Sequence, residues 1–371
     1  MTPTRAMALL TCLLAACSCG ASAPPASAPP AVAERARTAA PSADYEVHEW
    51  GLVRGGAGDT QTYGAIAPRI DYSMMAVDKP VLYFNAPAAL TLASVGVEAR
   101  SGGTLIETWP LTPLGSSVAW TNVRIDPSAE CTPSALPTSA EPPCTTLPVG
   151  TECESPSLAI VRTTDAACVR VGASTERFLF YRGRAATFTP PLRFERTGAY
   201  EVVRVTNEGD AVIPGMLVRL WSDGIHVRTL EVAPPAPHQS IEVRADFDAA
   251  DVRPAIDHAD DRRGAIDMPM APASGPGRQS LVASMLAIGL TQSEADAFMR
   301  AWDSALFGPG RVAIDVLSVD GDPAPRESFV YFLPAAALEN LAHLELDPPP
   351  AHGVHRAIAM WSALAATGAS H

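Results

Sequence analysis

Lysine is almost missing from this chain: of 27 basic side chains one is lysine, Lys79, and the rest are arginine. Asparagine is scarce too, a skew that reads as a GC-rich genome rather than as function. Positive charge is short overall, with a formal net charge of -13. An acidic surface repels phosphate backbones, which excludes nucleic acid as the expected partner. Apart from a short leader, no apolar run reaches spanning length; Leu281–Leu290 stops at ten residues. Short catalytic signatures are also missing. There is no GxSxG nucleophile elbow, no HExxH, no P-loop and no dinucleotide fingerprint. These absences lower the case for an enzyme without removing it, because glycosidase carboxylates and many hydrolase sites leave no short signature. No cofactor is implied.

What is present describes an exported, β-rich protein. A hydrophobic fraction of 47% in 371 residues supplies a real core, and 35 prolines with 26 glycines favour loops and short strands over long helices. Arg5 and the apolar run Ala6–Ala16 form a secretory signal over residues 1–16, too short to span a bilayer. The run ends in Leu14-Ala15-Ala16-Cys17, which resembles a bacterial lipobox, so Cys17 is the candidate for lipidation by diacylglyceryl and N-acyl (palmitate-type) chains. Plain secretion with cleavage near Ala21–Ala23 is the alternative. Ser18 rather than Asp after the cysteine favours the outer membrane. Residues 17–44 are then an Ala/Pro/Ser tether with polyproline-like stiffness, and the membrane, through Cys17, is one expected partner.

The expected fold is mainly β: an antiparallel β-sandwich over 45–270 with an α+β portion, 271–371, packed on it. Strand-like runs open at Tyr45–Val53 and Lys79–Phe84, where Pro80 is tolerated only at a strand start or on an edge. Further strands are read at Ser94–Ala99, Thr104–Trp109, Val118–Val123, Leu158–Arg162, Arg177–Gly183, Tyr200–Thr206, Met216–Trp221, Ile225–Val232 and Ser240–Ala245. Phe178–Tyr181 is apolar on both faces and belongs inside a sheet. Asn207–Asp210 and Ser222–Gly224 read as hairpin turns. Thr291 to Glu294 is a capping box opening a helix whose Ala295, Phe298, Met299, Trp302 and Leu306 share one face. Strands at Val312–Val319, Glu327–Leu333 and Gly353–Met360 and a short helix from Ala335 complete the tail.

An insert at 127–156 breaks this pattern with Cys131, Cys144 and Cys153, and Cys168 follows. Four cysteines in an exported chain point to two disulfides stapling a loop without its own core, in any of three connectivities. A zinc site is the weaker alternative, since no CxxC pair is present.

The only adjacent His-Glu-Trp cluster is His48-Glu49-Trp50. Alternation along a strand puts His48 on one face with Glu46 and Trp50, and Glu49 on the other with Val47. His48 and Glu49 are thus the candidate catalytic residues, but not as neighbours. A buried, hydrogen-bonded His48 packed on Trp50 is the favoured reading, and acid–base work with a carboxylate from another strand is its rival. His352 and His355 sit three apart in a strand-like context, face opposite sides and so could not share one ion. Asp246, Asp248 and Asp251 are weak calcium candidates in an acidic stretch that lacks EF-hand order, and a solvated loop is favoured.

Five stretches occur in an order that resembles a family. They are His48-Glu49-Trp50-Gly51, Lys79–Phe84, Phe178–Gly183, Gly289-Leu-Thr-Gln-Ser-Glu294-Ala295 running to Met299 and Trp302, and Tyr331–Pro334. The order is similar to that of uncharacterised exported bacterial proteins with an N-terminal HEWG motif. The likeness runs from Tyr45 to the C-terminus and departs from the family at the Cys-rich insert. It implies an architecture and transfers no activity. The expected function is a membrane-anchored cell-envelope lipoprotein acting as a binding or structural module on a protein or glycan ligand. The alternative is an envelope hydrolase using His48 with a distant carboxylate.

Overall fold

Strict alternation along the first strand decides the layout. Its residues face two different cores in turn, and every other layer is placed by that division. The structure, a computed structural model, describes residues 41–56, 75–128, 130–134, 160–185, 187–196, 202–222, 227–244, 276–307 and 326–364, all within the unit Ala40–His371. Tether residues 41–44 already touch this body: Ala43 exchanges backbone hydrogen bonds with Pro349 and Ala351.

The main sheet runs, edge to edge, β12 (Val227–Val232), β11 (Leu217–Ser222), β14 (Arg326–Phe332), β16 (Val354–Ala363), β1 (Glu46–Gly56), β2 (Met75–Asn85), β8 (Leu179–Ala185) and β4 (Thr104–Trp109). A five-stranded sheet runs β15 (Ala342–Asp347), β3 (Leu90–Ala99), β5 (Ser117–Asp126), β6 (Cys168–Val171) and β7 (Ser174–Glu176). A three-stranded sheet runs β13 (Ser240–Arg244), β10 (Val202–Asn207) and β9 (Leu192–Arg196). The described helices are α1 (Pro276–Ile288), α2 (Gln292–Leu306) and α3 (Ala335–Leu341).

The fold is mainly β, in largely antiparallel sheets stacked as a sandwich. On one face of the main sheet Trp50, Leu52, Tyr83, Phe180 and Phe332 pack against α1 and α2 through Leu281, Met285, Ala295 and Phe298. On the other face Val47, Leu82, Phe84, Leu179 and Tyr181 meet Val95, Val97, Trp120 and Val123 of the five-stranded sheet. Farther along that same face Val53, Phe329, Tyr331 and Met360 meet Phe194, Val203, Val205 and Val243 of the three-stranded one. Phe178–Tyr181 therefore fills both cores, as its two-sided apolar character requires. The apolar face of α2 is buried at each of its expected positions, Ala295, Phe298, Met299, Trp302 and Leu306.

Several expectations change. The central pair β1–β16 is parallel, with His48 opposite His355 and Glu49 opposite Arg356, so the main sheet is not wholly antiparallel. Pro80 lies within β2, a central strand, rather than at a start or edge. A bulge there puts Lys79 and Pro80 against Gly51 alone, which removes the ladder position a proline cannot fill. Gly51 is needed at this close approach, because a Cβ would stand 2.9 Å from the Pro80 Cα. Within Leu158–Arg162, residues 160–161 are helical and a turn follows. Asn207–Asp210 does not close a hairpin, for β10 pairs with β9 and β13 and the chain leaves for the main sheet. The buried Asn207 amide redirects it, donating to Ala211 and Pro235 carbonyls and accepting from the Gly209 amide. The expected strand Val312–Val319 lies outside the described residues.

Candidate functional site

His48 reaches its position by simple steps. β-branched and aromatic residues make Glu46–Gly56 a strand, and alternation turns Glu46, His48 and Trp50 toward the helices. Trp50 fixes the depth, edge-on to Phe298 of α2 with ring centroids 5.7 Å apart and tilted on Tyr83 at 6.3 Å. His48 is buried, 2% exposed.

The carboxylate that meets it comes from a helix rather than from a strand. Glu294 Oε2 lies 2.7 Å from His48 Nδ1. Glu294 is the third helical residue of α2 and completes the capping box: its Oε2 accepts the Thr291 amide at 2.8 Å, while its own amide donates to Thr291 Oγ1 at 3.3 Å. The positive end of the α2 dipole suits an acidic side chain in this first turn. One group thus closes the helix and orients the imidazole.

That contact sets the tautomer. Two acceptors do not sit at 2.7 Å, so Nδ1 carries the proton and donates it to Glu294. The Asn85 amide, 3.2 Å from the same nitrogen, is the weaker of the two contacts and does not decide it. Nε2 is then a lone-pair acceptor. It is buried without a hydrogen-bond partner among the described residues, 3.4 Å from Glu46 Oε1.

His355 is oriented in the same way. Its register with His48 across the parallel pair places both rings side by side, centroids 5.3 Å apart and edge to face. Its Nδ1 lies 3.0 Å from the Ile288 carbonyl at the end of α1 and must donate to it. The His355 Nε2 lone pair is left facing Glu46 Oε2 at 3.9 Å. Gly289, at φ 115°, lets the α1–α2 turn come this close, because a Cβ there would enter the His355 ring. Both histidines are therefore steered from the short stretch Ile288 to Glu294. Glu46 and His355, 35% and 33% exposed, form a rim over the buried His48.

Glu49 faces the other core, as alternation requires, and takes no part in this cluster. It accepts the Tyr181 hydroxyl at 2.6 Å and is ion-paired with Arg356, which also reaches Glu339 at 3.1 Å. Burial and then the Glu49 charge raise the Tyr181 hydroxyl pKa well above its ordinary value. Burial works against the Arg356 charge, but Glu49, Tyr181 and Glu339 outweigh it and hold the guanidinium above its ordinary range.

His352 points away to Asp44 at 2.6 Å and shares nothing with His355. Cys131 and Cys168 are disulfide-bonded with Cα atoms 5.3 Å apart, tying the start of the insert to β6. Cys144 and Cys153 lie outside the described residues, as do Cys17 and the calcium candidates Asp246, Asp248 and Asp251. Among the described helices none is long and apolar enough to cross a membrane. Sequence reasoning missed His355 and Glu294 as partners of His48; the capping box was the one signal that already singled Glu294 out. No protein-family model, curated protein or solved structure matches this chain.

Proposed function

We propose that this chain is a lipoprotein of the cell envelope, anchored through Cys17 at the outer membrane. Its β-rich body is a binding module whose ligand site is the mouth formed by Glu46, His48 and His355. The supporting observation is the buried His48 Nε2, which has no hydrogen-bond partner among the described residues and faces a half-exposed rim. An acceptor held in that state costs about 1–3 kcal/mol, a cost that a ligand-binding role accounts for. The anchor is supported by the lipobox-like run before Cys17 and the proline-rich tether after it.

Two measurements test this. Cys17→Ala should move the chain from the membrane to the soluble fraction; continued membrane fractionation would refute lipidation at that residue. The released Cys17→Ala chain should then co-sediment with purified sacculi or with outer-membrane vesicles, and lose that retention when Glu46→Gln is added. Retention on neither probe sinks the binding reading.

The hydrolase reading has one specific observation in its favour, the Glu294–His48 contact at 2.7 Å, which leaves Nε2 as a base oriented by a carboxylate. Among the described residues no serine, threonine or cysteine is hydrogen-bonded to that nitrogen, which makes water the nucleophile this reading invokes. A His48-dependent turnover of ester or glycoside substrates would favour this reading over simple binding.

A further inference from the structure

We propose that Glu46, His48 and His355 form a binding site for a divalent transition-metal ion of the zinc class, with at least one coordination position open to solvent. The inference names a ligand for the binding mouth and rests on that reading, though not on the Cys17 anchor.

Three acceptors converge here, and among the described residues none of their partners donates into the space between them. His48 Nδ1 is committed to Glu294, and His355 Nδ1 to the Ile288 carbonyl, so both Nε2 atoms are left as acceptors, 3.4 and 3.9 Å from oxygens of the Glu46 carboxylate. Lone pairs facing an anion repel unless a cation lies between them. A proton on His48 Nε2 would serve only with a closer contact, because charge-assisted N–H···O bonds measure roughly 2.7–2.9 Å and the separation is 3.4 Å.

The spacing suits a metal instead. Zinc bonds of about 2.0–2.2 Å in tetrahedral geometry put neighbouring donor atoms roughly 3.3–3.5 Å apart. His48 Nε2 and Glu46 Oε1 already stand at 3.4 Å, and His355 Nε2 is 3.9 Å from Glu46 Oε2. The donor atoms of the three residues all lie within 4.8 Å of one another. Closing the set from a spread of 4.8 Å to that spacing asks for a movement of up to about 1.4 Å, shared between the Glu46 carboxylate and the His355 ring. Two imidazoles and a carboxylate select borderline ions such as Zn(II) or Co(II) over the hard Ca(II) and Mg(II).

The surroundings agree. Metal-binding histidines commonly donate their second nitrogen to a carboxylate or a backbone carbonyl, which fixes the ring and strengthens the ligand. Here one histidine has each kind of partner. Three protein ligands, two of them at a half-exposed rim, leave the fourth position to water or a bound molecule, the arrangement of open rather than structural sites.

Co(II) is the probe. Titrated into the purified full chain in detergent, it should develop visible d–d bands that saturate at about one ion per chain and are removed by Zn(II). Glu46→Gln and His355→Ala, at rim positions that leave the core filled, should keep the far-UV circular dichroism and lose the bands. Glu294→Gln, which touches no ion, should weaken binding about 10–100-fold. Absence of bands in the wild-type chain overturns the proposal. So does equal binding by Glu46→Gln and His355→Ala, which would assign the ion to other groups. Retention on sacculi or vesicles without a Co(II) spectrum would sink the metal and leave the binding reading standing; a Co(II) spectrum without retention would do the reverse.

Discussion

One parallel strand pair carries two polar clusters, a residue apart, on opposite faces of the same sheet. On the inner face Glu49 stands opposite Arg356, and every charge is answered: Tyr181 and Arg356 donate to Glu49, and Arg356 also binds Glu339. On the helix-covered face His48 stands opposite His355, with each ring oriented from behind and the buried Nε2 of His48 without a hydrogen-bond partner among the described residues. The same backbone thus supports a closed cluster and an open one. Closure marks a group that serves the fold, because a satisfied buried network rigidifies and offers nothing to a ligand. An oriented but unsatisfied acceptor beside a half-exposed rim is the contrast on which the proposed binding role rests.

The sharpest way to break that division is to cut each side in turn. Glu49→Ala strips the buried Arg356 of its main partner and should cost about 3–5 kcal/mol, read from the denaturant midpoint. Co(II) binding by whatever remains folded should be unchanged. Glu46→Gln is the mirror experiment, removing metal binding while shifting stability by no more than about 0.5 kcal/mol, as for a rim position outside the core. If Glu46→Gln destabilised the chain as much as Glu49→Ala, the open cluster would be structural after all.

Next in size is Gly289→Ala. At φ 115° a side chain is strained, and its Cβ would push into the ring of His355. The expected loss is about 1–3 kcal/mol, together with weaker Co(II) binding, because the Ile288–His355 hydrogen bond cannot keep its geometry. A variant equally destabilised but with unchanged Co(II) affinity would detach the α1–α2 turn from the site.

The two faces differ in how far they could be read from residues alone. Period-two alternation separated His48 from Glu49 correctly, and the two-sided apolar run Phe178–Tyr181 placed β8 inside its sheet. Thr291 to Glu294 announced a helix start and delivered one. These signals are local. The pairing of β1 with β16 is not: it joins residues about three hundred positions apart, in parallel, so no hairpin turn records it. His355 was therefore compared with its sequence neighbour His352, which points elsewhere, rather than with His48. Glu294 was visible as a cap but not as a partner, since a capping box says nothing about what else its carboxylate meets. Asn207 was mistaken for a hairpin residue because the same Asx chemistry turns a chain within one sheet or away from it.

The smallest effect comes from the closed cluster and tests its closure by pH. Tyr181→Phe removes one hydrogen bond to Glu49 but leaves the Arg356 pair, so the loss near neutrality should be about 1 kcal/mol. Its consequence grows in alkali. Burial and the Glu49 charge raise the folded Tyr181 pKa well above its ordinary value of 10.0, and burial raises Tyr331 likewise. Below the unfolded pKa both states hold the phenolic proton, and the stability is fully present. Above it the unfolded chain releases protons that the folded chain keeps, so stability falls as pH rises from about 10 toward the folded pKa. Tyrosinate absorbance should therefore appear for these two residues only with global unfolding. Tyr181→Phe, having no proton to lose there, should make the alkaline fall less steep even though it starts from a slightly less stable protein. If the slope is unchanged, Tyr181 already ionises in the folded state, and the inner cluster is as open as the outer one.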